Sequence, residues 1–156
     1  MAGAGHDAAS PLPALALSGV DCTFVSRADA RQRYTAVRDV TLAVAAGEFV
    51  SVVGPTGCGK STLLNVAAGL LQPSAGSVEV FGDPLVGLNA RAGYMFQAES
   101  LMPWRTALQN VAAGLEFRGA ADADAAANEW LRRVGLGAFG DRYPHQLSGG
   151  MRKRVS

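Results

Sequence analysis

The chain has 156 residues, of which 49% are hydrophobic, and its formal net charge is +1. This length allows one hydrophobic core, so composition alone favours a single domain. The near-zero charge excludes the broad electrostatic argument for nucleic acid or for an acidic membrane surface, because both require concentrated basic charge. No stretch approaches the roughly 20 apolar residues that cross a bilayer, so direct membrane insertion is not expected.

The two cysteines and the first residues of the chain indicate the cellular compartment in which the protein is expected. Cys22 and Cys58 provide no disulfide framework, and Cys58 lies inside a glycine-rich segment that a bridge would obstruct. A reducing, cytosolic setting is therefore expected. Residues 1–13 contain small residues and prolines without the basic and apolar regions of a secretion signal, which predicts a flexible leader.

Alternating apolar and polar residues predict an opening β-sheet in the first part of the chain. Predicted strands cover residues 15–25, 37–45, 49–53, 77–81 and 92–96. Glycine, proline and charged residues predict the connections between them, at residues 27–33, 73–76 and 82–84.

Helical spacing appears after the third predicted strand and again from residue 106. Apolar residues between 63 and 71 recur at the spacing of one helix face. Further helices are predicted at residues 106–117 and 122–134, which indicates a helical subdomain. In the second of these, one buried stripe is predicted, made of Ala127, Trp130, Leu131 and Val134.

The segment at residues 54–62 is a complete phosphate-binding loop, placed between a predicted strand and a predicted helix as that motif requires. Its glycines leave room for successive backbone N–H groups to turn toward a polyphosphate, and the following helix adds the positive end of its dipole. The predicted binding residues are Gly54, Pro55, Thr56, Gly57, Cys58, Gly59, Lys60, Ser61 and Thr62.

Three side chains of this loop have distinct predicted roles. Lys60 reaches the outer phosphates, and the Ser61 hydroxyl is placed to be a Mg²⁺ ligand, because that metal prefers oxygen and bridges protein to phosphate. Thr62 is expected to donate a hydrogen bond to a phosphate. The segment therefore predicts binding of a nucleoside triphosphate with Mg²⁺.

Two further motifs follow the loop in order: Tyr94-Met95-Phe96-Gln97, and Leu147-Ser148-Gly149-Gly150-Met151 before a basic helix start. Ser148-Gly149-Gly150 alone is typical of a turn or a helix N-cap. With the phosphate loop and the predicted helical insert between them, these motifs resemble the ABC-transporter ATPase family from residue 15 to the last residue.

The resemblance implies a fold and a division of the chain. The fold class is α/β, a P-loop NTPase core with an N-terminal antiparallel β-subdomain and a helical subdomain. The expected parts are a leader at residues 1–13, a nucleotide-binding core at 14–96, the Q-loop and helical subdomain at 97–146, and the signature motif with the following helix start at 147–156.

The resemblance also implies a shared ATP site. In the family, the signature segment closes over ATP held by a facing subunit in a head-to-tail dimer, so Ser148, Gly149 and Gly150 would contact the partner's nucleotide. A serine beside two glycines at a helix start offers a hydroxyl and uncovered N–H groups for an anion. Gln97 matches the family's Q-loop glutamine, which approaches Mg²⁺ and the attacking water; a lone glutamine would otherwise be surface decoration.

A narrower resemblance involves residues 101–106, Leu-Met-Pro-Trp-Arg-Thr, followed by Asn110-Val111. This pattern resembles importers of the nitrate, sulfonate and taurine group, and it implies docking to a transmembrane permease at the cytoplasmic face of the membrane. The Pro-Trp pair is also compatible with a helix start that carries a packing aromatic. Substrate would be chosen by the permease and a binding protein.

The aromatic that stacks on adenine in this family has two candidates here. Phe24 follows a segment that resembles the family's, but the insertion at residues 27–33 makes Tyr34 a competitor. Ordinary strand packing is an equal alternative for either ring. His145 does not match the family's switch histidine.

The family continues after its signature into a strand ending in Asp-Glu, and the sequence ends at Ser156. We therefore expect a truncated chain that binds ATP better than it hydrolyses it, with apolar faces and strand edges left uncovered. Two alternatives stay open. One is an ABC ATPase that acts without a permease, and the other is an inert nucleotide-binding fragment.

Overall fold

The computed structural model describes residues 12–26, 29 and 31–156. Most of the predicted leader, and positions 27, 28 and 30 of the predicted 27–33 loop, lie outside these residues. The chain forms two compact units, Met1–Gly93 and Tyr94–Ser156.

The described residues of the first unit form an antiparallel sheet and one helix. Its strands are β1 (Leu15–Val25), β2 (Arg33–Val44), β3 (Ala75–Val80) and β4 (Asp83–Pro84), in the order β2-β1-β3-β4. The helix α1 (Lys60–Ala67) lies between β2 and β3 in sequence. β1 has its predicted bounds, and β2 begins earlier than predicted because Phe24, Val25 and Thr23 of β1 pair with Tyr34, Arg33 and Thr35.

The core of this unit joins the sheet to α1. Buried members are Leu17, Val20, Cys22, Val37, Val66 and Val78, with Leu63 and Leu71 packed against them. Burying one such side chain contributes about 1.5–3 kcal/mol relative to leaving it exposed. The helix predicted after the glycine-rich loop is therefore confirmed, but it ends at Ala67, before Leu71, and Leu64 is 52% exposed.

Two predicted strands do not form, at residues 49–53 and 92–96. Among the described residues, no strand pairs with either segment, and a strand requires a hydrogen-bonded neighbour. The side chains at 49–53 are correspondingly uncovered: Phe49 is 92% exposed and Val53 is 84% exposed. The prediction of strands at these two segments is therefore wrong, because an apolar pattern does not show where a pairing partner would lie.

Two predicted turns are shorter than expected. β3 begins at Ala75, inside the turn predicted at 73–76, because the backbone N–H of Ser74 bonds to the Asp21 carbonyl at 2.7 Å and brings the chain to β1. β4 lies inside the turn predicted at 82–84, because Phe81 and Gly82 reverse the chain with φ of 52° and 82°.

The second unit consists of three helices, α2 (Ala107–Glu116), α3 (Ala123–Arg133) and α4 (Gly149–Val155), with short 3₁₀ turns at Gly137–Phe139 and Pro144–Gln146. The start of α2 is fixed by a capping box. The Thr106 hydroxyl accepts from the Gln109 N–H at 3.3 Å, and the Gln109 amide oxygen accepts from the Thr106 N–H at 2.9 Å. Both long helices lie within their predicted ranges.

Small residues bring α2 and α3 together. Ala112, Ala123 and Ala127 are buried in one cluster, and a second cluster contains Ala107, Leu131, Leu136, Leu147 and Val155. The predicted stripe on α3 is confirmed for Ala127 and Leu131 and wrong for Trp130, which is 55% exposed. Its ring instead lies at the surface with the Arg133 guanidinium 5.0 Å from its centre. In the described part of the chain, no helix combines the length and apolar character needed to cross a bilayer.

Candidate functional site

The glycine-rich loop at residues 54–62 ends in the first turn of α1, and two of its glycines have left-handed backbone angles. Gly57 has φ of 83° and Gly59 has φ of 93°. At Gly59 a Cβ atom would lie 2.4 Å from the Ala36 carbonyl oxygen of β2, whereas at Gly57 no atom lies within 4 Å. Gly59 is therefore required by close backbone packing as well as by its own angles.

The Lys60 side chain reaches back to the start of the glycine-rich loop. Its ammonium donates to the carbonyl oxygens of Gly54 at 2.8 Å and Pro55 at 2.7 Å, and the Cys58 sulfur lies 3.7 Å away. These charge-assisted hydrogen bonds hold a positive charge at the loop, where the outer phosphates of a nucleotide are predicted to lie. The side chain is only partly exposed.

A cavity of about 230 Å³ lies between this loop and the end of the β1–β2 pair. Phe24 and Tyr34 are directly opposite each other in the strand register, and both line the cavity. The other lining residues are Ala36, Gly57, Gly59, Lys60, Ser61 and Thr62. The structure thus places both aromatic candidates in one cavity with the predicted phosphate-binding residues. Phe24 and Tyr34 are ten positions apart in the sequence but adjacent in space, because β1 and β2 pair there.

The two aromatic rings differ in how they are held. The Tyr34 hydroxyl donates to the Gly57 carbonyl oxygen at 3.3 Å, which ties β2 to the glycine-rich loop. Tyr34 is 60% exposed and Phe24 is 40% exposed, so neither is a core residue. Ordinary packing between paired strands stays an alternative for either ring, and stacking on adenine stays a prediction.

The donor set of the cavity fits a Mg²⁺ ion bound together with phosphate oxygens. Ser61 is exposed and lines the same cavity as Lys60, and Mg²⁺ takes few protein ligands when phosphates supply the others. Among the described residues, no cluster of three or more His, Cys, Asp or Glu side chains could hold a metal by itself. Within the first unit the protein ligand of such a site would be Ser61, and the role of Gln97 as a ligand stays a prediction.

Two cysteines lie in different environments. Burial, together with the neighbouring Asp21 carboxylate, raises the pKa of the Cys22 thiol, which is part of the sheet core. Cys58 is exposed in the glycine-rich loop. Neither cysteine forms a disulfide.

A larger cavity, of about 410 Å³, lies elsewhere in the first unit, between the end of α1 and the β3–β4 hairpin. It is lined mainly by apolar side chains, including Val66, Leu71, Pro73 and Leu85, and by none of the predicted site residues. Size alone would select this cavity, but phosphate recognition requires N–H donors and positive charge. The smaller cavity at the glycine-rich loop has both.

In the second unit, Gln97 lies in a segment without regular secondary structure, and its side chain is exposed. The prediction that it ends a strand is wrong. Ser148 is the N-cap of α4, and its hydroxyl accepts from the Met151 N–H at 3.3 Å. Gly149 and Gly150 form the exposed first turn after it, so the helix start predicted from Ser148-Gly149-Gly150 is confirmed, while its contact with a nucleotide stays a prediction.

The Pro103–Trp104 segment is presented at the surface by hydrogen bonds from Asn110. The Asn110 side chain accepts from the Met102 N–H at 2.7 Å and donates to the carbonyl oxygens of Arg105 at 3.0 Å and Thr106 at 2.9 Å. Trp104 is 71% exposed. The alternative of a packing aromatic at a helix start is therefore wrong, since α2 begins at Ala107 and the ring is uncovered.

Comparison with models of protein families shows which family the chain belongs to. Residues 37–156 match the family model described as ABC transporter. The chain belongs to this family. Together with the structural similarities below, this confirms the predicted α/β P-loop fold of the ABC ATPases.

Several curated relatives are importer subunits by name. The chain is 46% identical over 126 residues to the taurine import ATP-binding protein TauB of Pseudomonas aeruginosa, covering 80% of this chain and 48% of that protein. It is 42% identical over 128 residues to the nitrate import ATP-binding protein NrtC of Synechococcus elongatus, covering 80% and 19%. An uncharacterized ABC transporter ATP-binding protein of Methanocaldococcus jannaschii is 45% identical over 126 residues, covering 80% and 47%. The chain thus spans about half the length of the TauB protein and of the Methanocaldococcus jannaschii protein.

Solved structures of ATP-binding cassettes have the same fold. One is a dimeric cassette in a post-hydrolysis state bound to ADP and Pi, with a TM-score of 0.80 and 34% identity, covering 90% of this chain and 66% of that chain. Another dimeric bacterial ABC transporter cassette has a TM-score of 0.79 and 32% identity, with the same coverage.

Sequence reasoning missed the residues that shape the loop from outside it. The Ala36 carbonyl, which forces glycine at position 59, acts through its backbone and leaves no sequence signal. The Tyr34 bond to Gly57 depends on the register of β1 and β2, which the sequence did not specify. Glu99, close in sequence to Gln97, contacts Arg152, and no motif pointed to that pairing.

Proposed function

We propose that this ABC-family chain is the ATP-binding subunit of an importer that couples ATP binding and hydrolysis to uptake of a small anion such as nitrate, a sulfonate or taurine. The observation that carries the proposal is the cavity where Lys60, Ser61 and Thr62 lie beside Phe24 and Tyr34. It combines a positive charge, backbone donors and an aromatic surface, which are the groups that phosphates and a purine require.

Within this proposal each loop side chain has one task. The Lys60 ammonium leaves the carbonyl oxygens of Gly54 and Pro55 for the outer phosphates, which offer full negative charge in place of two dipoles. The Ser61 hydroxyl holds Mg²⁺, which neutralises charge on the phosphates, and Thr62 donates to a phosphate. One of the two rings, Phe24 or Tyr34, stacks on adenine.

The predicted partners enter through the second unit. Ser148, Gly149 and Gly150 contact ATP held by a second subunit in a head-to-tail dimer, and Gln97 approaches Mg²⁺ and the attacking water. The relatives with solved structures are dimeric, which supports this arrangement. The exposed Trp104, held out by Asn110, is the anchor that we assign to a transmembrane permease, so the chain would act peripherally at the cytoplasmic face.

We further propose that this chain binds ATP more readily than it hydrolyses it. Among the described residues that line the cavity, none is an aspartate or glutamate. A carboxylate that polarises the attacking water is a large part of phosphoryl transfer, so its absence from the lining limits the chemical step.

A titration with a fluorescent ATP analogue and Mg²⁺ tests the binding claim. The wild-type chain should bind, and Lys60→Ala should weaken binding by at least about tenfold, the equivalent of one lost charge-assisted contact of about 1.4 kcal/mol. Arg91→Ala is the matched control, since its guanidinium pairs with Asp83 on the surface of the same unit. Equal affinities for the wild type and Lys60→Ala would contradict the assignment of the loop.

Two assays separate the alternatives. Single-turnover release of phosphate that Lys60→Ala abolishes would contradict the inert-fragment alternative. Co-purification with a membrane permease, lost in Trp104→Ala, would separate an importer subunit from an ABC ATPase that acts without one. Retention of the permease by Trp104→Ala would count against the assigned anchor.

A further inference from the structure

Glu99 and Arg152 form an ion pair within the second unit, 2.5 Å from carboxylate oxygen to guanidinium Nε. The two side chains are only 25% and 33% exposed, respectively, so water screens the pair less than it screens a surface pair. Arg152 also donates from its terminal nitrogen to the Leu147 carbonyl oxygen at 2.7 Å. One guanidinium therefore holds a side chain and a backbone group from two separate segments.

The two segments are the ones that carry predicted site residues of this unit. Glu99 follows Gln97 in the irregular segment before α2, and Leu147 directly precedes Ser148, the N-cap of α4. Leu147 is buried, with 4% exposure. The Leu147 carbonyl therefore belongs to a buried, well-packed residue. Residues 97–101, called the Gln97 segment below, are connected to this carbonyl through Glu99 and Arg152.

Residues 97–102 make other contacts too, including a hydrogen bond from the Ser100 hydroxyl to the Ala98 carbonyl oxygen at 3.3 Å. Leu101 packs against the cluster that contains Leu147, and the Met102 N–H bonds to Asn110. Between Gln97 and Leu101, the Glu99 carboxylate forms an ion pair with Arg152 of α4. Loss of this contact would free the part of the segment nearest Gln97.

We propose that Arg152 is a positioning residue that makes the Gln97 segment and the Ser148–Gly150 turn move as one piece. The proposal rests on the proposed function, in which Gln97 serves this chain's own nucleotide and Ser148 serves the partner's. Through Arg152 a displacement at one of these sites is transmitted to the other. Arg152 touches no nucleotide in this account and acts only through Glu99 and Leu147.

Backbone order parameters from ¹⁵N relaxation test the connection in the chain alone. In the wild type, residues 98–101 and 147–151 should be rigid, near about 0.85. In Arg152→Met both segments should fall toward about 0.6, whereas Glu99→Gln should mobilise residues 98–101 and affect residues 147–151 less. Glu99→Gln is the milder change because it keeps the side-chain shape and leaves Arg152 bonded to Leu147. Arg152→Lys should restore part of the rigidity.

Arg154→Met is the matched control. Arg154 lies on the same helix and donates to the Val134 carbonyl oxygen at 2.9 Å, so its loss should loosen α4 and leave residues 98–101 unchanged. If residues 98–101 stay as rigid as in the wild type in Arg152→Met or in Glu99→Gln, the connection does not exist and the proposal is wrong.

A nucleotide experiment adds a functional readout. Arg152→Met should bind fluorescent ATP with wild-type affinity but lose most of the MgATP-dependent dimer seen by sedimentation, because Ser148–Gly150 is no longer held for the partner's nucleotide. An unchanged dimer fraction would overturn the proposal. Absence of ATP binding by the wild type would overturn the proposed function instead, and the order parameters would then decide the connection by themselves.

Discussion

The glycine-rich loop of the first unit and the helix starts of the second unit hold their polar groups in different ways. At the loop, position depends on groups distant in sequence, since Gly59 packs on the Ala36 carbonyl and Gly57 accepts from Tyr34. At the starts of α2 and α4, a hydroxyl and an N–H three positions later are enough. Substitutions at the glycine-rich loop should therefore disturb contacts with residues that are distant in sequence, whereas substitutions at the helix starts should affect only neighbouring residues.

The strongest expected effect is that of Gly59→Ala on the free energy of unfolding. A left-handed angle costs an L-residue about 1–2 kcal/mol, and the clash with the Ala36 carbonyl adds roughly 1–3 kcal/mol. Gly57→Ala is the control, because it has a similar angle but open space around it. Urea unfolding should show the larger loss for Gly59→Ala, and equal losses would mean that β2 does not constrain the loop.

A second comparison uses two neighbours on α3. Leu131 is 1% exposed and Trp130 is 55% exposed. Leu131→Ala should lower the free energy of opening of α3 by about 3 kcal/mol, and Trp130→Ala by less than about 1 kcal/mol, since only a surface cation–π contact is lost. Hydrogen exchange of the α3 amides measures both. Similar losses would contradict the placement of the core.

The two rings at the cavity allow a sharper test of the first unit. Alanine substitution of the ring that stacks on adenine should weaken ATP binding by about fivefold, equivalent to roughly 1 kcal/mol. Substitution of the other ring should change binding less than twofold. Titrations of Phe24→Ala and Tyr34→Ala with MgATP decide between them, and Tyr34→Phe separates the ring from its bond to Gly57. If ATP affinity is unchanged in both alanine variants, neither ring stacks on adenine.

The smallest expected effect is local to α2. Thr106→Ala removes the capping hydroxyl and should cost about 1 kcal/mol, while Thr106→Ser keeps it and should cost little. Protection of the Gln109 amide against hydrogen exchange is the direct measurement, because that N–H donates to Thr106. A loss spread over the whole unit would argue against a purely local cap.

These differences explain how much the sequence could predict. The ranges of α2 and α3 followed from helical spacing and the loop residues from one motif, because that information lies within a few positions. The strand at residues 49–53 failed because pairing depends on a neighbouring strand that the pattern does not specify. Trp130 was misplaced because periodicity marks a face of a helix but does not show where the core ends.

For the candidate site, too, local sequence motifs could be predicted and contacts between distant segments could not. Lys60, Ser61 and Thr62 were found from the motif, and the structure places them in one cavity with both aromatic candidates. The Ala36 carbonyl and the Glu99–Arg152 pair could not be predicted, since one acts through its backbone and the other joins segments that are far apart in sequence.

The central claim is that the loop at residues 54–62 binds the phosphates of ATP through Lys60. Its most direct test is the free energy of unfolding as MgATP is increased. Above saturation, each tenfold increase should stabilise the wild-type chain by about 1.4 kcal/mol, reaching about 2.7 kcal/mol at a hundred times the Kd. Lys60→Ala and AMP, which lacks the outer phosphates, should give much smaller shifts at the same concentrations. A wild-type chain whose stability does not change with MgATP would contradict the claim.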